Sequence, residues 1–311
     1  PSTMPLNTSI LALSLLSLLI AHTVVAREET DYFDLDLEQL MAISVASKQS
    51  EDPTLAPGAI SIITREHIRN FGGLNLGDLI DRLTNTQVMG SSLYPRNRTS
   101  LRAVTQTHVD DKILILLDGR PIRDAAQGGI NGDLYATFPI ESIEQIEIIR
   151  GPGSVLYGTN AFSGVFNIVT VLPSESQNMF QLRSGSESDG KVWAIAHRPF
   201  DDGYLSIQTQ AIQHEGTPYP NIAGEVGDNG QHGMGHDHQL LHLKGEYANH
   251  SATILYSDTR LDHASNLQSY PSEDWDIKRL FMDIGSEVVI NQHWKGNLNL
   301  TMNQVKNTAF I

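Results

Sequence analysis

IEQIEIIRGPGSVLYGTNAFSGVFNIVT, residues 143–170, is the most informative stretch of the chain. EQIEIIR (144–150) and GVFNIVT (164–170) each read as a short, mostly apolar strand. Gly151, Gly153 and Gly158 between them mark a sharp reversal in which the backbone passes close to another part of the chain. The cluster is not a dinucleotide fingerprint, because its spacing does not satisfy G-x-G-x-x-G and Pro152 removes an N–H that a pyrophosphate cradle would use.

Upstream, the elements are short and of both kinds. AISIIT (59–64) reads as a strand, Thr64 can cap a helix over REHIRNF, and Gly72-Gly73 stops it. Asn75 can cap LGDLIDRL (76–83), and TQVMG (86–90) returns to extended structure. A loop, GSSLYPRNRTS (90–100), follows. KILILLDGRPI (112–122) is a buried-type strand running into Asp118-Gly119, a dipeptide that tolerates the positive φ of a tight hairpin. A second loop, RDAAQGGINGD (123–133), and a short helix around Pro139–Ser142 complete a small mixed α/β domain.

After Leu172 the texture changes to longer alternating segments separated by turn clusters, as expected of transmembrane β-strands. Seven candidates are MFQLRSG (179–185), KVWAIAHRPF (191–200), YLSIQTQAIQ (204–213), QLLHLKGEY (239–247), ATILYSDTRL (252–261), IKRLFMDIGSEVVI (277–290) and WKGNLNLTMNQVK (294–306). The links DDG (201–203), NHS (249–251) and NQH (291–293) are tight, whereas 214–238 and 262–276 are long, the asymmetry of an outer-membrane barrel. Trp193, Tyr204, Tyr247, Trp275 and Trp294 near strand ends suggest interfacial girdles. A soluble sandwich would alternate similarly. Seven strands are too few to close a barrel, since the smallest outer-membrane barrels have eight, so a barrel here is expected to be incomplete.

The chain has 311 residues, ample for two domains, and 40% hydrophobic content, normal for a folding sequence. Its net charge of -15 opposes nucleic-acid phosphates. The absence of cysteine excludes disulfides, thiolate zinc sites and iron–sulfur clusters. No H-E-x-x-H, G-x-S-x-G or cysteine nucleophile suggests an enzyme. Ile10–Ala21 is an apolar run of signal-peptide length, and Val24-Val25-Ala26 is a small-residue cleavage pattern, so processing after Ala26 is expected. No Lys or Arg precedes Arg27, and Pro1 rather than Met opens the chain, so Met4 as the start or a fragment is expected.

The stretch 143–170 resembles, almost position by position, the "IE-x-IEV-[IL]-RGP-x-S-x-LYG-x-x-A-x-x-GVINI-[IV]-T" segment of plug domains in TonB-dependent outer-membrane receptors. APGAISIIT (56–64), LGDLIDRLTNTQV (76–88) and SLRAVTQTHVDDKILILLDGRPI (100–122) resemble the same family in the same order. One departure is Arg102-Ala103, where the family usually has Arg-Gly. The resemblance implies a signal peptide (1–26), a periplasmic lead-in (27–55), a plug (56–172) and the first barrel strands (173–311). It also implies TonB as partner, outer-membrane lipid as surroundings, and capture of an extracellular ligand such as an iron–siderophore or other metal chelate. A signal-relaying or adhesive receptor on the same architecture is the alternative. No cofactor is implied.

Within that frame AISVAS, comprising Ala42, Ile43, Ser44, Val45, Ala46 and Ser47, occupies the place of a TonB box. An accessible extended segment suits β-augmentation, in which backbone hydrogen bonds supply the affinity; an ordinary linker would look similar. The loops at 90–100 and 123–133 would form the pocket floor, making Tyr94, Arg96, Asn97, Arg98 and Arg123 candidate contacts for an anionic chelate. Those arginines could equally pair with acidic barrel residues. Arg150, with Gly151, Pro152, Tyr157 and Gly158, is assigned to holding plug to barrel, as the family's RGP arginine does. HGMGHDHQLLH (232–242) collects His232, His236, Asp237, His238 and His242, donors suited to zinc, copper or nickel, in what reads mostly as an outward loop. A solvated histidine-rich loop is the plain alternative.

Overall fold

A computed structural model describes residues 59–90, 97–105, 109–124, 128–151, 153, 157–172, 178–186, 189–216, 218–219, 232–233, 235–263, 273–291 and 294–309. The chain divides into two compact units at Val171/Leu172. Residues 42–47, Tyr94, Arg96 and Pro152 lie outside the described residues.

The first unit is built on a five-stranded sheet. Its strands are β1 (Ala59–Thr64), β4 (Ile113–Leu117), β5 (Arg120–Ile122), β6 (Ile143–Arg150) and β7 (Gly164–Thr170) in the order β1-β6-β7-β4-β5. Only β4 and β7 run parallel; the other pairs are antiparallel. The two strands of the 143–170 stretch are therefore neighbours at the sheet centre, joined through the glycine reversal. Most of their residues are buried, and Leu114, Leu116, Ile149, Ala161 and Val165 pack as one cluster, with Tyr157 against it.

Local chemistry fixes the ends of the short elements. Helix α1 (Arg65–Phe71) starts at Thr64, whose hydroxyl accepts from His67 N while His67 Nδ1 accepts from Thr64 N, and stops at Gly72 with φ 62°. Helix α2 (Leu76–Asp81) is capped by Asn75 Oδ1, which accepts from Asp78 N at 2.9 Å. Asp118 and Gly119 take φ 47° and 78°, the left-handed pair that a two-residue hairpin between β4 and β5 requires. Asp118 then accepts from both Thr170 N and Thr170 Oγ1 at 2.8 Å, fastening the turn to the end of β7.

Two elements differ from expectation. The segment 90–100 is not all loop, because β3 (Arg98–Leu101) pairs with β2 (Thr86–Met89) in a separate hairpin. Helix α3 (Gly132–Thr137) occupies the end of the segment expected to be a loop, followed by a 3-10 turn at Ile140–Ser142. Both are too short for periodicity to register.

The second unit is a seven-stranded antiparallel sheet in the order β16-β15-β14-β13-β10-β9-β8. Its strands are β8 (Met179–Ser184), β9 (Gly190–Phe200), β10 (Gly203–His214), β13 (His236–Tyr247), β14 (His250–His263), β15 (Glu273–Asn291) and β16 (Trp294–Ala309). A short ribbon, β11 (Pro218–Tyr219) with β12 (His232–Gly233), lies between β10 and β13. All seven expected segments are strands; β13 and β15 begin earlier than expected and β14 ends later, each reaching into a long link.

The two faces of this sheet differ sharply. Carrying the register across the strands places Phe180, Leu182, Leu205, Tyr247, Tyr256, Ile284, Leu298 and Leu300 on one face, all exposed, Leu300 at 73%. The opposite face carries Lys191, His197, Gln208, Gln210, His238, His242, Ser257, Thr259, Arg279 and Asp283, all buried. That face also buries Leu240, Leu255, Ile277 and Phe281, so it is mixed; large apolar side chains exposed along the other face are the pattern of a strand set facing lipid.

The same register corrects the girdle expectation. Trp193, Tyr204 and Trp275 fall on the polar face, where Trp193 and Trp275 are 2% and 3% exposed. Tyr247 and Trp294 remain on the apolar face near the tight turns, where Phe200 packs on Tyr247 with ring centroids 6.1 Å apart. Nearness to a strand end in sequence does not set which face a residue takes, because one position of register reverses it.

Candidate functional site

The loops flagged as a ligand floor are stitched together by a buried polar network. Asn97 Oδ1 accepts from Asn131 N at 2.7 Å and Gly132 N at 2.6 Å, and its Nδ2 donates to Gly129 O at 3.1 Å. Asn97 is fully buried, so its expected role as a ligand contact is corrected: it ties the start of β3 to the start of α3. Its amide has both the donor and the acceptor that this backbone segment needs.

Asp110 is the second centre. It is fully buried and accepts from Thr99 N at 2.5 Å, from Thr99 Oγ1 at 3.1 Å, and through a short bond from Tyr135 OH. Burial pushes its carboxyl up to about 6, the bonds from Tyr135 and Thr99 opposing the rise. Burial and the adjacent Asp110 charge push the Tyr135 phenol well above its ordinary value, so it stays a donor. Gly129 sits where a Cβ would lie 2.3 Å from the Asp110 carbonyl carbon, so no side chain fits there.

A third tie reaches the glycine reversal. Asn160, at φ 71°, donates to Gly128 O at 2.7 Å and Asp111 O at 3.0 Å, and Arg123 Nη1 donates to Thr159 Oγ1 at 2.6 Å. Arg98 is bound back on its own hairpin, donating to Gly90 O through Nε at 3.1 Å and Nη2 at 2.5 Å. The structure thus brings 97–99, 110–111, 123–124, 128–135 and 159–160 together. Arg98 and Arg123 both lie in this region, each holding a loop.

Arg150 holds the edge of the same unit. It donates to Ser61 Oγ across the β1–β6 pair, and its carbonyl accepts from Arg102 Nη1 at 3.3 Å. Burial and the neighbouring Arg102 charge lower its pKa from the ordinary value. Its described tie is therefore inside the plug, to β1, and to a hydroxyl rather than a carboxylate. Gly151 and Gly158 take φ 148° and 76° in the reversal that follows. Arg102 and Ala103 are themselves left-handed, at φ 54° and 61°, closing a two-residue turn between Leu101 and Val104. A Gly is the unstrained residue at such a place, and an Ala there costs about 1–2 kcal/mol. The turn keeps its shape despite the substitution of the family's usual Gly.

The histidine segment is corrected in position. His236, Asp237 and His238 are in β13 and not in a loop. Alternation places His236, His238 and His242 on the polar face and Asp237 on the other, so Asp237 cannot share a metal with them. His232 is in the short ribbon β12. Among the described residues no three His, Asp or Glu side chains converge closely enough to hold a metal ion.

Sequence reasoning missed Asp110, Thr99, Asn131 and Tyr135, which make the buried network, and His214. HVDD (108–111) carries no periodicity, so a buried Asp there looks like a solvated one. His214 sits alone at the end of a strand, and only register brings it beside His236.

A small α/β unit followed by an antiparallel sheet, apolar on its exposed face and rich in polar side chains on its buried one, defines the class: a plug joined to strands of an outer-membrane-type barrel. Residues 52–165 match the family model described as TonB-dependent Receptor Plug Domain. Over 314 aligned residues the chain is 25% identical to the vitamin B12 transporter BtuB of Vibrio cholerae, covering 96% of this chain and 47% of that protein. It is 26% identical to the probable TonB-dependent siderophore receptor PirA of Acinetobacter baumannii, covering 59% of this chain and 26% of that protein. The solved ferric yersiniabactin uptake receptor FyuA of Yersinia pestis shares the fold, with a TM-score of 0.61 at 16% identity over 81% of this chain and 41% of that one. Residues 52–165 are thus a TonB-dependent receptor plug domain, and the strands that follow share the fold of part of such a receptor's barrel. The chain spans less than half the length of these curated relatives. The relatives are transporters and receptors of the outer membrane, not enzymes.

Proposed function

We propose that this chain is the plug and first barrel strands of an active transporter that captures a metal complex outside the cell and admits it when TonB acts on the plug from the periplasm. In this reading residues 1–26 are a cleaved export signal, 27–55 a periplasmic lead-in, 56–172 the plug and 173–311 barrel strands. Ala42–Ser47 is the TonB box, an extended segment that adds a strand to the TonB periplasmic domain. The observation that carries the reading is the pairing of a plug domain with a sheet whose exposed face is apolar and whose buried face is rich in polar side chains. A plug is of use only where a lumen must be closed.

The cargo class is an anionic or neutral metal chelate, with an iron–siderophore as the leading member. Its floor would be the plug loops held by Asn97, Arg98 and Arg123, together with Tyr94 and Arg96. Cobalamin is the second reading, favoured by the similarity to a vitamin B12 transporter along nearly the whole chain. The test is uptake of radio-iron siderophores and radio-cobalt cyanocobalamin by cells carrying the receptor with and without Val45→Pro. Proline removes a backbone donor and restricts the preceding residue. The variant is expected to abolish uptake and leave surface binding of the same probe intact. Unchanged uptake, or loss of binding along with uptake, contradicts the proposal.

A further inference from the structure

At the end of the barrel sheet away from the tight turns, His214 closes β10 and His236 opens β13, and the two are direct cross-strand partners. Their rings stand 5.2 Å apart between centroids, tilted by 51°. The Asp189 carboxylate is held by Arg183 through Nε at 3.1 Å and Nη2 at 3.3 Å. Its Oδ1 lies 3.7 Å from His214 Nδ1, on the side that leaves Nε2 turned away from the carboxylate. At that distance the contact is electrostatic, and Nδ1 itself is buried without a hydrogen-bond partner.

A third imidazole shares the face. His238 is two residues further along β13, about 7 Å by strand geometry. It is 3% exposed, with Nδ1 2.8 Å from Thr259 Oγ1 and Nε2 without a hydrogen-bond partner. A buried ring nitrogen left open while its twin is hydrogen-bonded is costly unless something comes to it. One nitrogen tied and the other open is also how metal-binding histidines are arranged.

We propose that His214 and His236 form a two-imidazole site for a divalent transition metal at the outer rim of the barrel wall, with the Asp189 carboxylate beside it adding negative charge. No third donor converges on the pair among the described residues, so the remaining coordination positions fall to water or to donor atoms of an incoming chelate. Imidazole pairs favour Cu2+ over Ni2+ and Zn2+. The site does not depend on the uptake reading, since a metal titration is indifferent to TonB.

The experiment is a calorimetric titration of the purified full chain, free of any tag histidines and held in detergent, with Cu2+ alone, together with the EPR spectrum of the one-equivalent complex. One saturable equivalent with two equatorial nitrogens is expected. His214→Gln and His236→Gln should each weaken binding at least about tenfold, while Asp237→Asn, on the opposite face, leaves it unchanged. Circular dichroism of each variant checks that the sheet is retained, and the wild-type EPR spectrum tests the site without any variant. Non-saturable binding, a spectrum without nitrogen ligands, an unaffected His214→Gln, or equal loss in Asp237→Asn overturns the proposal.

Discussion

Asp110 is a carboxylate in a place where charge is disfavoured. Burial pushes its carboxyl up to about 6 from an ordinary value of 3.8. Between those two values the folded plug holds a proton that the unfolded chain does not, so stability is highest below pH ~4 and falls as pH rises through ~6, by ~3 kcal/mol at full effect. Asp110→Asn keeps a neutral acceptor for Thr99 N and removes the titration. Chemical denaturation of the full chain across pH 4–7 is expected to show a downward slope in the wild type that Asp110→Asn flattens. An upward slope, or an identical slope in both, contradicts the assignment. The sequence does not announce this residue: Asp110 and Asp111 are adjacent and alike, yet one is buried under Thr99 and Tyr135 and the other is exposed. Asn97 misleads in the same way. Among arginines in a loop it reads as a ligand contact, whereas three hydrogen bonds to backbone make it a fastener. Turn residues are more legible, because Asp118-Gly119 and Gly72 are chosen for a backbone conformation that few residues adopt.

Strands of the barrel sheet were legible from their alternation, since a period of two over ten or more residues has no competing explanation in a helix. Their faces were less so. Trp193 and Trp275 lie on the polar face because register, not distance from a turn, decides which way a side chain points. Elements of three to six residues, such as β3 and α3, depend on tertiary partners and leave no periodic trace. The face assignment makes a direct prediction on β16. Leu300 is on the apolar face at 73% exposure, and Asn303 is on the other. In phospholipid vesicles Leu300→Arg is expected to destabilise the sheet by ~2–4 kcal/mol if it lies near the midplane, while Asn303→Arg costs far less. Urea unfolding in vesicles separates the two, and equal losses would mean that the faces are misassigned.

For the molecule as a whole, the plug sheet and the barrel sheet answer different physical demands. The plug buries Ile and Leu on its central strands and spends its polar groups on fastening loops to one another. The barrel sheet exposes apolar side chains on one face and buries polar ones, among apolar neighbours such as Trp193, Leu255 and Phe281, on the other. The family was readable from 143–170 because that stretch builds the two central plug strands and the reversal between them, where any change disturbs several neighbours at once. Cargo is not readable in the same way, since loop side chains facing a ligand obey no periodicity.

The proposed capture of the 42–47 segment by TonB is open to a direct test. The sequence contains no cysteine, so single cysteines introduced at positions 42–47 can be cross-linked to the periplasmic domain of TonB without background. Cross-links within 42–47 that disappear when Val45→Pro is added are the expected result. No cross-link at any of those positions, or cross-links indifferent to the proline, would contradict it.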